Sequence, residues 1–524
     1  MLKQKTNQPL ILIKNIFTLF IIGLLFLGCG GNEGVQKQPS SEEAPPNIVL
    51  IYADDLGYGD LSSYGGEIQT PNIDELAQKG VKHLNAYATA AICTPSRYSL
   101  LTGEYSWRQI GNGVASGNDG ALIRPGKTTL PGILQKAGYQ TAVVGKWHLG
   151  LGNSDGPDWN GKIAPGPLEI GFDYSFIIPA TGDRVPTVYV ENHHILNLDP
   201  NDPIQVSYDQ KIGSEPTGSE RPDLLKMNFS HGHNHTIVNG ISRIGYQSGG
   251  KSAWWKDEDF ADQFVKKSSE FMEENKDTPF FLFLPTHDIH VPRVPHQRFV
   301  GKSGRGPRGD ALLQLDWTVG AITEKLEDLN ILDNTLIVFT SDNGPVTDDG
   351  YEDQADELLG NHLPAAHLRG GKYSSFEAGT KIPLILSGPG INKPGTSSEV
   401  LLSQLDFLRS FAALTGQSVP ETEAIDSYQL LNSLLGTSQD QRPHHIQLAT
   451  GNGLSFIMAD YKYIVPNNGS PKVSWGPDIE TGFSKEDQLY HLKTDPTETH
   501  NIASEKPEIL EKMKKEFERI RNQK

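Results

Sequence analysis

The chain is long, acidic and rich in glycine and proline: it has 524 residues, 46 Lys plus Arg against 64 Asp plus Glu, and a net charge of -18. This charge excludes general binding to DNA or RNA, so a local cluster of cations must hold any anionic substrate. A hydrophobic fraction of 36%, with 54 Gly and 34 Pro, excludes a coiled coil and a disordered chain. The length predicts one large domain and at least one smaller one.

The first residues have the order of charge and hydrophobicity that is typical of a secretory signal. Lysines precede an apolar run over residues 16–27, which is too short to span a bilayer. The run ends at Gly28 and Cys29 in a sequence that resembles a bacterial lipoprotein cleavage site, where Cys29 becomes the lipidated first residue. An ordinary signal peptide that is cut nearby is the alternative. We therefore predict a signal peptide over residues 1–28. The mature protein is predicted to be exported to the bacterial cell envelope, in the periplasm or on the outer-membrane surface, and to be held to the membrane by its lipid anchor alone.

Residues 29–46 are polar, lack an apolar period and are predicted to form a flexible tether, so the folded protein begins near Asn47. Besides Cys29 the chain has only one cysteine, Cys93. Once Cys29 takes a lipid, Cys93 has no disulfide partner within the chain. Cys93 is then either a small buried hydrophobic residue or a residue with a chemical role.

Four apolar, β-rich segments are predicted to be central strands, and helical patterns lie between some of them. The strands cover residues 47–53, 139–145, 279–284 and 335–340, and the helices cover residues 72–79, 130–137 and 312–329. This arrangement predicts an α/β layered domain. In such sheets ligands bind beyond the carboxyl ends of the strands, so the polar residues that follow the strands should converge there. These residues are Asp54 and Asp55, Lys146 and His148, Thr286 and His287, and Asp342 and Asn343.

The acidic residues of this set predict a metal site. Asp54 and Asp55 alone would also fit a turn or a helix cap. Together with Asp342 and Asn343 they offer the oxygen ligands that Ca²⁺ or Mg²⁺ prefers. The alternating histidines of residues 231–235 favour a loop over a transition-metal site.

Cys93 begins a predicted helix that runs to Leu101, with Pro95 in its first turn and Gly103 as its cap. The positive end of a helix attracts anions and stabilises thiolates. Arg97 lies one turn further on, on the same face. This segment therefore predicts a site for a negatively charged group.

The segment Cys93-Thr94-Pro95-Ser96-Arg97, followed by Leu-x-Thr-Gly at residues 100–103, resembles the signature of the type I sulfatases. Further resemblance covers residues 47–59, 145–150, 341–344, 369–372 and 488–501, in the order of that family. It implies an alkaline-phosphatase-like α/β fold with a large mixed sheet over residues 47–437 and a smaller antiparallel α+β domain over residues 438–524. Strands at 445–450, 454–459 and 462–465 and an amphipathic helix at 507–520 are predicted for the smaller domain.

The resemblance implies a sulfuric ester hydrolase in which a maturase oxidises Cys93 to formylglycine. One calcium ion would be held by the modified residue 93 together with Asp54, Asp55, Asp342 and Asn343. A hydroxyl of the hydrated aldehyde attacks sulfur, the alcohol leaves, and a formylglycine-sulfate intermediate then releases sulfate. His148 takes the proton in that release, His287 protonates the leaving oxygen, and three cations offset the negative charge: Arg97, Lys146 and Lys372.

The substrate prediction rests on three further segments, residues 183–192, 231–245 and 287–293. They look like those of bacterial exo-sulfatases that act on galactose or N-acetylgalactosamine in sulfated saccharides. The candidate sugar ligands are Asp183, Arg184, His290 and Arg293, although a structured surface loop is an equal alternative. Two other functions stay open: a phosphoester or phosphonate hydrolase of the same superfamily, and a non-catalytic glycan-binding lipoprotein.

Overall fold

The computed structural model describes residues 45–523. The predicted signal peptide, Cys29 and most of the predicted tether lie outside the described residues. Within residues 45–523, no helix is long and apolar enough to cross a membrane.

A ten-stranded mixed sheet forms the centre of the large domain. Its strands are, in chain order, β1 Asn47–Ala53, β2 Gly80–His83, β3 Gln140–Lys146, β4 Tyr174–Ile178, β5 Val190–Glu191, β6 His194–Ile195, β7 Phe280–Pro285, β8 Thr335–Ser341, β9 Leu384–Ser387 and β10 Thr396–Ser398. They are arranged in the order β10-β2-β9-β8-β1-β7-β3-β4-β5-β6. The four central strands β8, β1, β7 and β3 run parallel, so their carboxyl ends meet at one edge.

Helices cover both faces of this sheet. They are α1 Pro71–Lys79, α2 Cys93–Thr102, α3 Leu130–Lys136, α4 Phe260–Glu274, α5 Gly306–Asp328, α6 Phe407–Leu414 and α7 Leu431–Leu434. Successive residues of β1 enter different cores: Leu50 packs in the core with α2, α3 and α6, while Ile51 packs in the core with α1, α4 and α5. A strand that is buried on both faces needs apolar residues throughout, which explains why β1 could be predicted as a continuous apolar run.

A four-stranded antiparallel sheet follows near the C-terminus. It consists of β11 His445–Leu448, β12 Leu454–Met458, β13 Tyr461–Ile464 and β14 Gln488–His491, and helix α8 Pro507–Arg521 packs on it. Met513 and Phe517 of the helix share a core with Phe456 and Tyr463 of the sheet. This arrangement confirms the predicted fold class, a large mixed sheet with a smaller antiparallel α+β domain. The boundary at residue 437 stays a prediction, because the described residues form one compact unit.

Shorter ladders complete the structure: Ala86–Tyr87 with Leu402–Ser403, Gln205–Ser207 with Tyr246–Ser248, and Ile237–Val238 with Ile241–Ser242. The predicted central strands begin and end within one residue of the observed strands. Helix α5, however, begins at Gly306 rather than at residue 312. Its first turns are polar because Arg308 forms a buried ion pair with Asp60, so apolar periodicity does not reveal them.

Candidate active site

Residues from the ends of β1 and β8 meet at the carboxyl edge of the sheet. The backbone N–H of Asp55 donates to Oδ1 of Asp342 at 3.2 Å, and the side-chain amide of Asn343 donates to Oδ1 of Asp55 at 2.8 Å. All of these residues, with Asp54, are fully buried. The register makes this convergence unavoidable, because Ala53 pairs with Ser341 at the last position of both strands.

Cys93 is the first residue of α2 and lies beside the acidic cluster. Its Sγ is 3.8 Å from Oδ1 of Asp54, and its side chain is buried. Gly103 ends the helix in the left-handed conformation at φ 65°, as predicted. Burial raises the pKa of the Cys93 thiol, and this outweighs the opposite effect of Lys146 and Lys372. Desolvation thus opposes, in the unmodified side chain, the thiolate that the helix end and the two lysines would favour.

Three buried cations surround these carboxylates. The Arg97 guanidinium donates to Oδ2 of Asp342 at 2.8 Å and to Oδ2 of Asp54 at 3.1 Å. Lys146 forms an ion pair with Asp54. Lys372 lies 2.8 Å from Oδ2 of Asp55. Each cation of the predicted set thus contacts a carboxylate of the predicted metal site.

The basic side chains of this cluster are paired with its carboxylates. Asp54, Asp55 and Asp342 form ion pairs with the three basic side chains. These basic side chains are therefore already paired and do not offer their charge freely to an anionic substrate. Burial and repulsion from Asp342 raise the pKa of Asp54 to about 7, so further positive charge at this position would favour its carboxylate form. A divalent cation among the carboxylates would leave the basic side chains free to hold an anion.

The metal-binding groups fit such a cation. Asp54, Asp55, Cys93 and His290 each offer one ligand atom, and these atoms lie within 4.8 Å of one another. Oδ1 of Asn343 is buried without a hydrogen-bond partner, so it is free to bind a metal. Carboxylate and amide oxygens suit calcium. His290 in this group was predicted as a sugar ligand, not as a neighbour of the metal site.

The three histidines of the predicted site differ in position. His148 lines the pocket beside Cys93, and its Nε2 is 3.0 Å from the carbonyl oxygen of Ala115. His290 also lines this pocket, and its Nδ1 donates to the carbonyl of Val291 at 2.6 Å. His287 is not among the residues that line the pocket. Its ring packs 4.9 Å from that of Phe260, and burial lowers its pKa to about 3.

The pocket above Cys93 has a volume of about 280 Å³. Asp183 and Arg184 line it, and Asp183 accepts a hydrogen bond from His233 at 3.0 Å. Arg293 lies elsewhere: its guanidinium is buried and bound to Asp353 at 2.7 Å and to backbone carbonyls. In this structure Arg293 therefore holds a loop together instead of facing a ligand.

Several residues of the pocket were not named as candidates, namely Val114, Asp349, Tyr373 and Trp475. His231 and His233 also line it, and they belong to residues 231–245, one of the segments on which the substrate prediction rests. Asp349 accepts hydrogen bonds from Lys372 and from the Tyr373 hydroxyl, each at 2.8 Å. It lies in a loop after β8 where acidic residues are common, so no sequence signal distinguishes it. The histidines lie in the predicted loop, and this loop forms part of the lining of the pocket.

The chain matches known proteins over nearly all of its described length. The family model described as Sulfatase matches residues 46–417. The N-acetylgalactosamine-6-O-sulfatase of Bacteroides thetaiotaomicron is 51% identical over 95% of this chain and 97% of the relative. Human arylsulfatase A is 32% identical over 90% of this chain and 86% of the relative. One similar solved structure comes from work on the metabolism of multiple glycosaminoglycans by Bacteroides thetaiotaomicron and is labelled 6S-sulf. It has a TM-score of 0.90 and 51% identity, and the match covers 92% of this chain and 100% of that chain.

Proposed function

The chain belongs to the sulfatase family and is a sulfuric ester hydrolase of sulfated saccharides, and from this we propose that it removes the 6-sulfate of N-acetylgalactosamine at the end of a glycan chain. The observation that supports the proposal best is the 51% identity over almost the whole length of an N-acetylgalactosamine-6-O-sulfatase. The pocket supports the exo-acting part. At about 280 Å³ it lies at the lower end of ligand pockets, so it admits one sugar unit and not a continuous chain.

Residue 93 acts as formylglycine in this proposal. The hydrated aldehyde supplies a nucleophilic hydroxyl, and its second hydroxyl allows the sulfate to be released without attack by another water. The buried thiol of Cys93 has a raised pKa, so the unmodified side chain is a poor nucleophile at neutral pH. A maturase that recognises the segment from Cys93 to Arg97 is therefore a required partner.

Lys372 lines the pocket and binds the sulfate group. Arg97 and Lys146, buried on the carboxylates of Asp54 and Asp342, offset the charge that develops on the sulfate and on residue 93. The positions of these three side chains are fixed before substrate arrives, because each forms an ion pair with a buried carboxylate. Asp54, Asp55, Asp342 and Asn343 would hold calcium, which would supply positive charge beside these carboxylates and the sulfate oxygens.

His290 in its imidazolium form would donate the proton on Nε2 to the leaving sugar oxygen, in place of the predicted His287. Burial and Lys146 lower the pKa of this ring, so the imidazolium would form only beside the bound sulfate anion, and the ring is neutral after the transfer. Its Nδ1 is held by the Val291 carbonyl, so its Nε2 is the nitrogen that can exchange a proton in the pocket. His148 takes up a proton at residue 93 during sulfate release, because its Nδ1 is buried without a partner beside that residue. Asp183 and Arg184 bind hydroxyl groups of the sugar.

The protein works outside the cytoplasm in this proposal, anchored to the cell envelope through a lipid on Cys29. There it would take part in glycan degradation. Labelling with a radioactive fatty acid should mark the wild type and not Cys29→Ser, and an unlabelled wild-type protein would refute the anchor.

The function is tested with protein that is produced together with a maturase. It should release sulfate from N-acetylgalactosamine 6-sulfate, with much lower activity on the 4-sulfate, on galactose 6-sulfate and on the matching 6-phosphate. Faster turnover of the phosphate would favour the phosphoester hydrolase. The absence of any turnover, with formylglycine and calcium both present, would favour the glycan-binding alternative.

A further inference from the structure

Two exposed apolar side chains lie at the same pocket. In residues 45–523, the exposed large hydrophobic side chains are few, and two of them are Val114 and Trp475, which are 39% and 43% exposed. Both line the pocket above Cys93. Apolar side chains that are exposed beside a binding pocket are typical of a surface that a ligand covers.

Trp475 is held firmly although it is exposed. It lies in the loop between β13 and β14, and its ring contacts that of Tyr373 edge-on at 5.1 Å between centroids. Within the loop, the N–H of Val473 donates to the carbonyl of Ile479 at 2.9 Å. Arg369 binds Glu480 with two hydrogen bonds of 2.7 and 2.8 Å. The loop is thereby tied to the segment that bears Lys372, so Trp475 needs no reordering to meet a ligand.

Val114 comes from a different part of the chain and is also fixed. It follows α2, and its neighbour Ala115 is held by two contacts. The N–H of Ala115 donates to the Thr94 hydroxyl at 3.1 Å, and the carbonyl oxygen of Ala115 lies 3.0 Å from Nε2 of His148. The large domain and the C-terminal domain thus each place one apolar side chain at this pocket.

The size of the pocket indicates what these side chains meet. A volume of about 280 Å³ is filled by the sulfated sugar, so the next sugar of a glycan must lie at the opening. A pyranose ring has polar edges and an apolar face of C–H groups, and such a face is buried favourably against an aromatic ring.

We propose that Trp475 and Val114 form a second saccharide subsite, which binds the apolar face of the pyranose that is linked to the sulfated sugar. This proposal rests on the proposed function. The subsite favours a sulfated sugar at the end of a chain over the free monosaccharide. The subsite contributes to substrate binding and not to the chemical step, because neither side chain can donate or accept a proton.

The test compares two substrates of the mature, calcium-loaded enzyme: N-acetylgalactosamine 6-sulfate alone, and the same sugar linked through C1 to an unsulfated hexopyranose. Trp475→Ala should lower kcat/KM for the disaccharide roughly tenfold, through KM, and lower kcat/KM for the monosaccharide much less. Val114→Ala should act in the same direction with a smaller effect. Trp475→Phe should restore most of the loss, and this separates the subsite from a folding defect.

Leu224→Ala is the matched control, since Leu224 is 42% exposed but does not line this pocket. It should change neither substrate. Equal losses on both substrates, or no loss in either pocket variant, would overturn the subsite while leaving the proposed function intact. A wild-type enzyme that hydrolyses neither sugar sulfate would overturn the proposed function, and the subsite with it.

Discussion

Nε2 of His290 lies 3.6 Å from Oδ2 of Asp55, in the pocket that Cys93 lines. His287, in the same segment after β7, instead packs on Phe260. Because His290 lines the pocket and His287 does not, the proposed mechanism takes the proton for the leaving oxygen from His290, since general acid catalysis requires a donor within reach of the departing atom.

His290→Ala should therefore lower kcat/KM for a sugar sulfate by roughly a hundredfold to ten-thousandfold and affect nitrophenyl sulfate much less. A sugar alkoxide leaves poorly without a proton, whereas nitrophenolate does not need one. His287→Ala serves as the comparison and should change both substrates alike, through stability. A selective loss in His287→Ala would return the acid role to His287.

The different positions of these two histidines could not be predicted from the sequence, although the strands before them could. Periodicity identifies β1 and β8 because both faces of these strands are buried, and the residues that follow them must then meet at one edge. Which of two rings after β7 enters the pocket depends on Phe260, which comes from a helix that was not predicted. Asp349 and Trp475 lie in loops, whose positions depend on tertiary contacts and leave no periodic signal.

The state of residue 93 gives a second prediction. Peptide mass spectrometry of enzyme made with a maturase should find formylglycine at Cys93, and activity should scale with the modified fraction. Cys93→Ala should lose activity on the order of a millionfold, as enzymes do when a covalent nucleophile is removed. Full activity with an unmodified thiol would contradict the mechanism.

Calcium should both activate and stabilise the protein. Chelation should abolish sulfate release, and added calcium should restore it. Binding to the folded state alone should add about 2.7 kcal/mol at a hundredfold excess over Kd, measurable as a rise in Tm. Asp54→Asn and Asp342→Asn should lose this rise. An unchanged calcium response in both variants would place the ion elsewhere.

Asp349 should act as a positioning residue for Lys372. Burial disfavours the Lys372 ammonium, but Asp349 and Asp55 raise the pKa of this side chain well above its ordinary value. Asp349→Asn removes one of these carboxylates, so kcat/KM should fall about tenfold to hundredfold and the basic limb of its pH profile should move down. Asp356→Asn, an exposed neighbour on the same loop, is the control. A loss of activity without a shift in the pH profile would assign Asp349 to structure alone.

Asp60 provides a prediction about stability at low pH. Its buried carboxylate binds both terminal nitrogens of Arg308, at 2.7 and 2.8 Å, and His362 at 2.8 Å. Burial opposes the charged form, but Arg308 and His362 prevail and lower the pKa of Asp60 from 3.8 to about 2.

A carboxyl group whose pKa is lower in the folded state stabilises the fold above its unfolded pKa, and this stabilisation is lost as the pH falls. The loss should therefore occur between about pH 4 and pH 2 and should amount to about 2 kcal/mol.

Asp60→Asn leaves the Arg308 guanidinium buried without a charged partner, so it should cost about 3–5 kcal/mol at pH 7. As the pH falls from 4 towards 2 the difference between variant and wild type should shrink, because the wild type then loses the stabilisation that its charged carboxylate provides. Urea unfolding of both proteins at pH 7, 4 and 3 measures this convergence. A difference that stays constant with pH would mean that the geometry of the pair, and not its charge, stabilises the fold.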